Sequence, residues 1–320
     1  MPGSDDTWRP RRLLAFLAIG AALYSALFFW SDANLRRHAT QNPFLRIAAA
    51  PAEVDWIILG ASHALPLGFS DMPETIRQGT GQTTLTLAVP GGGPFLMRLI
   101  AERWFADHSA SGVLIVLDDF GFADRRWNEP RLADSDVLPK MPADRTTAAI
   151  LAHAVPRGLP WQTWAAYATG FARINDRSRL APDTWDGEAK FDSAPRPNAA
   201  AAEARIAFLY PGPPDPEALD SGFADLAALI ELSQAKGARV MIVRPPLPQA
   251  FRSALPDVPG FDSQLALLSR RLAVPVIDHS ALLPDARNFF DADHLNRTGV
   301  SGWLDAGLRD MLAAPDDSDQ

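Results

Sequence analysis

The chain has 320 residues, 47% of them hydrophobic and 21% charged, a balance that marks an ordinary folded protein and excludes a disordered polymer. Its net charge of -8 argues against a general nucleic-acid binder, which presents a basic face. With no cysteine, disulfides, thiolate catalysis and zinc–thiolate centres are excluded.

The first predicted element is apolar. Residues 13–30 run without a charge, close to the shortest stretch that crosses a bilayer. The run ends on Phe28, Phe29 and Trp30 rather than on the small residues of a cleavage site, which favours an uncleaved signal anchor over a signal peptide. Arg11 and Arg12 abut its start and Asp32 follows its end. Arg9 also precedes the run, but Arg36, Arg37 and Arg46 follow it, so the arginines alone give no majority and it is the immediate flank that places residues 1–12 in the cytoplasm and the body outside. Richness in Ala, Arg and Pro suggests a bacterial chain, so the expected location is the inner membrane with a periplasmic body. Residues 31–52 read as a linker.

From residue 53 the pattern alternates. Short apolar runs at 54–59, 83–89, 113–117, 239–244 and 274–278 read as strands buried on both faces. Helical periodicity covers 94–105, 216–236, 261–272 and 298–312, with Asp215 as N-cap and Gly237 as C-cap of the second. The expected fold is therefore α/β: a mostly parallel sheet of about five strands with helices on both faces, spanning 53–313. Residues 120–210 break the alternation with prolines, charges and an aromatic helical piece at 161–171. They read as an insertion, either a cover for one end of the sheet or a substrate platform. Residues 314–320 read as a frayed tail.

Ligands of parallel sheets bind beyond the carboxyl ends of the strands. The first strand is followed by Gly60-Ala61-Ser62-His63, which presents Ser62 at that edge. Before the last helix stands Asp291-Ala292-Asp293-His294. A D-x-x-H spacing puts carboxylate and imidazole on one local turn, so His294 is a base for Ser62 and Asp291 its orienting partner. Asp293, adjacent to His294, is expected to point elsewhere. A metal reading of Asp118, Asp119, Asp291 and His294 lacks a known ligand spacing, and neither metal nor cofactor is expected. His63, Asp119 and Arg244 are candidate substrate contacts at strand ends, each with a packing or ion-pair role as the plainer alternative.

Serine after the first strand and D-x-x-H before the last helix together resemble the SGNH (GDSL-like) hydrolase superfamily, over residues 53–312. The spacing departs from the G-x-S-x-G elbow of α/β-hydrolases, because Ala64 stands where the second glycine would be. The resemblance implies a three-layer, flavodoxin-like fold and catalysis by Ser62, Asp291 and His294. It also implies an oxyanion hole built from the Ser62 region and a glycine amide, with Gly92 preferred over Gly91 and Gly93. The family's third block, G-x-N-D, is not matched: strand three ends Leu117-Asp118-Asp119-Phe120-Gly121 and offers no Asn. Asn128 is a candidate substitute.

Acyl-serine chemistry makes the chain an esterase or an O-acyltransferase. An anchored SGNH-like chain is similar to proteins that work with membrane-bound O-acyltransferases on cell-surface polysaccharide. The expected partners are thus the bilayer through 13–30, a polysaccharide or small acyl ester, and such an acyltransferase, with no nucleic acid. A non-catalytic polysaccharide-binding role is the alternative.

Overall fold

A computed structural model describes residues 8–38, 41–134, 136–154, 160–180, 185–193 and 199–313. The expectations for residues 1–7 and for the 314–320 tail lie outside the described residues.

Five parallel strands form one sheet in the order β2-β1-β3-β4-β5: β1 Glu53–Gly60, β2 Thr84–Ala88, β3 Ser109–Val116, β4 Arg239–Arg244 and β5 Val276–Asp278. Alternate side chains of each run enter opposite layers. Ile57, Leu59, Val113, Ile115 and Ile242 pack in a core shared with α4 (Pro94–Asp107), α8 (Pro216–Ala235) and α9 (Phe261–Leu272). Trp56, Ile58, Leu114, Val116 and Val243 pack on the other face with α3 (Met72–Thr80) and the C-terminal helices. Burial on both faces explains why these strands read as continuous apolar runs.

Several boundaries differ from the sequence expectation, β3 beginning at Ser109 and not at residue 113, and two of the differences have local reasons. The fifth strand starts at Val276 rather than at residue 274. Pro275 has no N–H to give the ladder, though its carbonyl accepts from Ile242 N at 3.0 Å. The last helix is not continuous over 298–312. It runs as α10 (Arg297–Trp303), a π-helical turn over Leu304–Leu308, and a final Arg309–Leu312. Gly307, at φ +144, breaks the helical backbone between them.

At the N-terminus a single helix, α1, covers Trp8–His38. Its Pro10–His38 stretch is long and apolar enough to cross a membrane. The segment from residue 31 is not extended chain. Residues 31–38 continue α1, and α2 (Pro43–Ala49) follows, capped by Asn42 through hydrogen bonds from Phe44 N and Leu45 N. The insertion holds short helices, among them α5 (Trp161–Ala168), α6 (Phe171–Asn175) and α7 (Ala199–Leu209).

Strand order reverses across β1, since β2 lies on one side of it and β3 on the other. A crevice at such a switch point is where open α/β sheets place ligands. Ser62 follows β1 and Asp118 follows β3, so both stand at that point.

Candidate active site

Gly60 is the last residue of β1, paired with Ala88 and Val116. A Cβ there would sit 2.8 Å from both the Ala64 Cβ and the Val116 carbonyl oxygen, so only glycine lets the chain fold back this tightly. The return turn is bonded from Ala64 N to Ala61 O and from Leu65 N to Ser62 O, each at 3.2 Å. Neither bond uses the Ser62 N–H.

His294 is brought to Ser62 by a second local device. One oxygen of Asp291 accepts from the backbone N–H of Asp293 at 3.1 Å and of His294 at 2.9 Å. This bends the D-x-x-H segment so that the imidazole returns over the carboxylate, with Nδ1 2.9 Å from both Asp291 oxygens. Phe290 stacks on the ring at 5.6 Å, and Trp185 meets it edge-on at 4.9 Å. So held, His294 Nε2 lies 2.9 Å from Ser62 Oγ. Ser62, His294 and Asp291 are thus brought together in hydrogen-bond sequence, with Nδ1–H donating to Asp291 and Nε2 accepting from the hydroxyl.

Asp293 does not point elsewhere. Its side chain is 1% exposed, and the carboxylate enters the site. One oxygen lies 3.1 Å from His294 Nδ1, and the other accepts from His63 Nε2 at 3.2 Å and Arg205 Nε at 2.8 Å. A buried carboxylate needs cationic partners, and two converge here to provide them. His63 in turn donates from Nδ1 to Asp118 at 2.7 Å. Arg205, on α7 of the insertion, also places Nη2 3.3 Å from both Ser62 Oγ and His294 Nε2. Nothing in the sequence announces Arg205, which lies in an alanine-rich helix 143 residues from Ser62, with no motif around it.

Charge is distributed accordingly. Burial works against the His63 imidazolium, but Asp118 and then Asp293 outweigh it and hold the pKa up to about 10. Burial also opposes charge on His294; the Asp293 charge and the Asp291 hydrogen bond overcome it and raise the pKa above the usual imidazole value. Burial pushes the Asp293 carboxyl up, yet His294 and His63 pull it well below the carboxylate range. Burial pushes the Asp291 carboxyl up, but the side-chain and backbone hydrogen bonds and the charge of His294 together bring it below its usual value.

Four of the expected contacts, Gly92, Asn128, Arg244 and Asp119, are engaged by other groups of the protein. Gly92 N–H donates to Val89 O at 2.8 Å, closing a turn with Pro90 and Gly91 (φ +65) at its centre, as a type II turn requires. That amide is committed to the turn and does not face an oxyanion. Gly93 N–H is likewise bound to Trp127 O. Asn128 is no substitute: its carboxamide donates to Gly121 O at 2.8 Å and accepts from Phe95 N at 3.2 Å, tying the insertion to the start of α4. Arg244 pairs with Asp262 at 3.0 Å and lies over the Phe261 ring. Asp119 accepts a hydrogen bond from Tyr210 Oη, and burial raises its carboxyl pKa.

His63, Asp293 and His294 offer ligand atoms within 4.8 Å of one another. As a metal centre the set fits poorly. His63 is held as an imidazolium with both nitrogens donating, and the Arg205 guanidinium already stands among the would-be ligands.

Ser62 and His294 are each 2% exposed. Trp185 and Arg205, both from the insertion, cover them. Trp185 also lines a pocket together with Asn42, Val89, Pro90 and Val137.

No protein-family model matches the chain, and no curated protein matches it. Among solved structures it is similar to a "putative acylhydrolase" from Bacteroides fragilis, 8% identical, across 85% of this chain and 95% of that one, with a TM-score of 0.44. It is also similar to a GDSL-like lipase from Bacteroides thetaiotaomicron, 11% identical, across 88% of this chain and 98% of that one, with a TM-score of 0.41. Both scores lie below one half, so the chemistry of the site rests on its own geometry.

Proposed function

We propose that the chain is a membrane-anchored serine acyl-transfer enzyme of the SGNH type, acting through an acyl–Ser62 intermediate. One observation carries the reading: Ser62, His294 and Asp291 stand in hydrogen-bond sequence at 2.9 Å per link, although Ser62 and His294 are 232 residues apart in the chain. A turn serine and a capping aspartate have no structural need to meet a buried imidazole in that order.

The steps follow from the donors. Neutral His294 takes the Ser62 proton at Nε2, and Oγ bonds to the ester carbonyl carbon while an electron pair moves to the carbonyl oxygen. Collapse of that adduct breaks the bond to the alcohol oxygen, which leaves with the proton from His294. The acceptor then gives its proton to His294 and bonds to the acyl carbon; the bond from that carbon to Oγ breaks, and Ser62 Oγ takes the proton back from His294. Water as acceptor makes the reaction ester hydrolysis; a sugar hydroxyl makes it O-acyl transfer. With the Gly92 and Asn128 donors committed elsewhere, Arg205 is the group that meets the oxyanion. Its Nη2 already reaches the Ser62 oxygen, and the negative charge forms on the atom attached to the same carbon. The Ser62 N–H is the second donor.

The apolar N-terminal helix supports a site held at a membrane, on the outer face of a bacterial inner membrane by its immediate flanks, Arg11 and Arg12 before it and Asp32 after it. In that setting the substrates are O-acyl groups of envelope polysaccharide, and a membrane-bound O-acyltransferase is the source of acyl groups. A second reading, a non-catalytic polysaccharide-binding partner of such an acyltransferase, draws support from the committed Gly92 amide and the covered Ser62.

A fluorophosphonate probe separates them. The full chain in detergent should form one adduct, on Ser62, that Ser62→Ala abolishes and His294→Gln suppresses. No adduct, together with p-nitrophenyl acetate hydrolysis no faster than in Ser62→Ala, would leave the binding reading standing.

A further inference from the structure

The insertion touches more than the active site. The outer part of α1 carries a stripe at Tyr24, Phe28, Ser31 and Leu35, spaced to lie on one helix face. Its upper end meets the α5–α6 hairpin. Tyr24 Oη donates to Thr169 O at 3.0 Å. Phe28 presses on Gly170, the joint between α5 and α6. A Cβ at Gly170 would come within 2.3 Å of the Phe28 ring, and its φ is +78, so glycine is required for both space and backbone. Lower down, Asp32 pairs with Arg173, and the Arg179 guanidinium lies 5.7 Å over the Trp30 ring.

These contacts fix a depth. Trp30 ends the uncharged run, and Tyr24 lies six residues before it, about 9 Å further in along a helix rising ~1.5 Å per residue. If α1 spans a bilayer, the hairpin tip meets it below its outer end. The hairpin's composition suits that position. Residues 161–172 carry no charge, and Arg173, which follows, is 3% exposed and paired. Trp161 and Phe171 are nevertheless 68% and 57% exposed. Aromatic side chains without charge between them are the composition of an interfacial membrane element.

We propose that the α5–α6 hairpin is a second membrane-contact element, seated in the outer leaflet interface beside α1, with a lipid bilayer as the partner of Phe171 and Trp161. The inference rests on the reading of α1 as a membrane span and is independent of the chemistry at Ser62. It makes the insertion a bracket, gripping the membrane at one end and covering the active site at the other.

The absence of native cysteine makes the test direct, because one introduced cysteine is a unique spin-label site. The full chain is reconstituted in phosphatidylglycerol–phosphatidylethanolamine vesicles with a label at Phe171→Cys, or at Trp161→Cys where the first variant does not fold. Labels at Phe16→Cys, in the span, and Leu267→Cys, on α9 and 59% exposed, serve as references. The hairpin label is expected to collide with oxygen several-fold more than with a water-soluble nickel complex, as at Phe16. A hairpin label as open to nickel as Leu267, with Phe16 protected, would overturn the proposal and leave the anchor intact. Nickel access at Phe16 as well would overturn the span and the hairpin together.

Discussion

The α/β core and the insertion contribute differently to one site. The core supplies Ser62, Asp291 and His294, together with His63 and Asp118, from strand ends and a single turn before α10. The insertion supplies Arg205 and Trp185, which contact Ser62 and His294, and Tyr210, which bonds to Asp119 just past β3. Every proton in the proposed reaction passes through His294, a core residue, while the charge that meets the oxyanion arrives from outside the sheet. The difference teaches that the sheet defines which reaction is available, and the insertion conditions how fast it runs and what can reach it.

The core's half of that division is tested most severely at Asp291. Replacing it by Asn keeps the shape but no longer holds Nδ1–H in place, and losses of about 10⁴-fold in kcat follow from such a change in serine triads. The same variant carries a pH signature. His294 must be neutral to accept the Ser62 proton, so activity falls as pH drops through its pKa, which the two aspartates raise. Removing one of them moves that limb toward lower pH. A kcat–pH profile of Asp291→Asn with the acid limb unmoved would break the assignment of Asp291 as the partner of His294.

The insertion's half is tested at Arg205. Arg205→Met removes the guanidinium from Ser62 and from Asp293. Loss of one oxyanion donor costs about 10²–10³-fold in kcat. KM should change little, because the interaction strengthens only as charge forms on the substrate oxygen. A rise in KM at constant kcat would instead make Arg205 a part of the cover, and the comparison would lose its chemical content.

How far the two regions could be read from sequence follows the same line. Strand runs such as 113–117 and 239–244 are buried on both sides, and local composition alone announces them. Gly60-Ala61-Ser62 and Asp291-Ala292-Asp293-His294 are legible because each is built within four residues, the second by one carboxylate bonding two neighbouring amides. Asp293 was misplaced for a tertiary reason: its direction is set by His63 and Arg205, neither of which is near in sequence. Arg205 leaves no signal, because a cation on a short helix reads the same whether it meets solvent or a buried carboxylate. Gly92 looked like a donor, but a Pro-Gly pair at the centre of a turn consumes the amide that follows it. Backbone hydrogen bonding, not residue type, decides such roles.

The smallest effect is expected at Tyr210, which links the two regions without touching the reacting groups. Its hydroxyl donates to Asp119, just past β3, at the point where the chain returns from α7. Tyr210→Phe leaves a half-buried carboxylate short of a donor, a cost of about 1–3 kcal/mol in stability. Burial has already raised the Asp119 pKa above its unfolded value, so holding it ionised disfavours the fold at neutral pH. The stability associated with a raised carboxyl is present below the unfolded value of 3.8 and is lost as pH rises through the folded one. A protonated Asp119 has less need of the phenol. The gap between wild type and Tyr210→Phe in urea midpoint should therefore be widest near neutrality and narrow as pH falls into the carboxylate range, with kcat lower by only a few-fold. A gap that does not vary with pH would assign Tyr210 to packing alone. The insertion would then be held to the core by Arg205 and Trp185 without this latch.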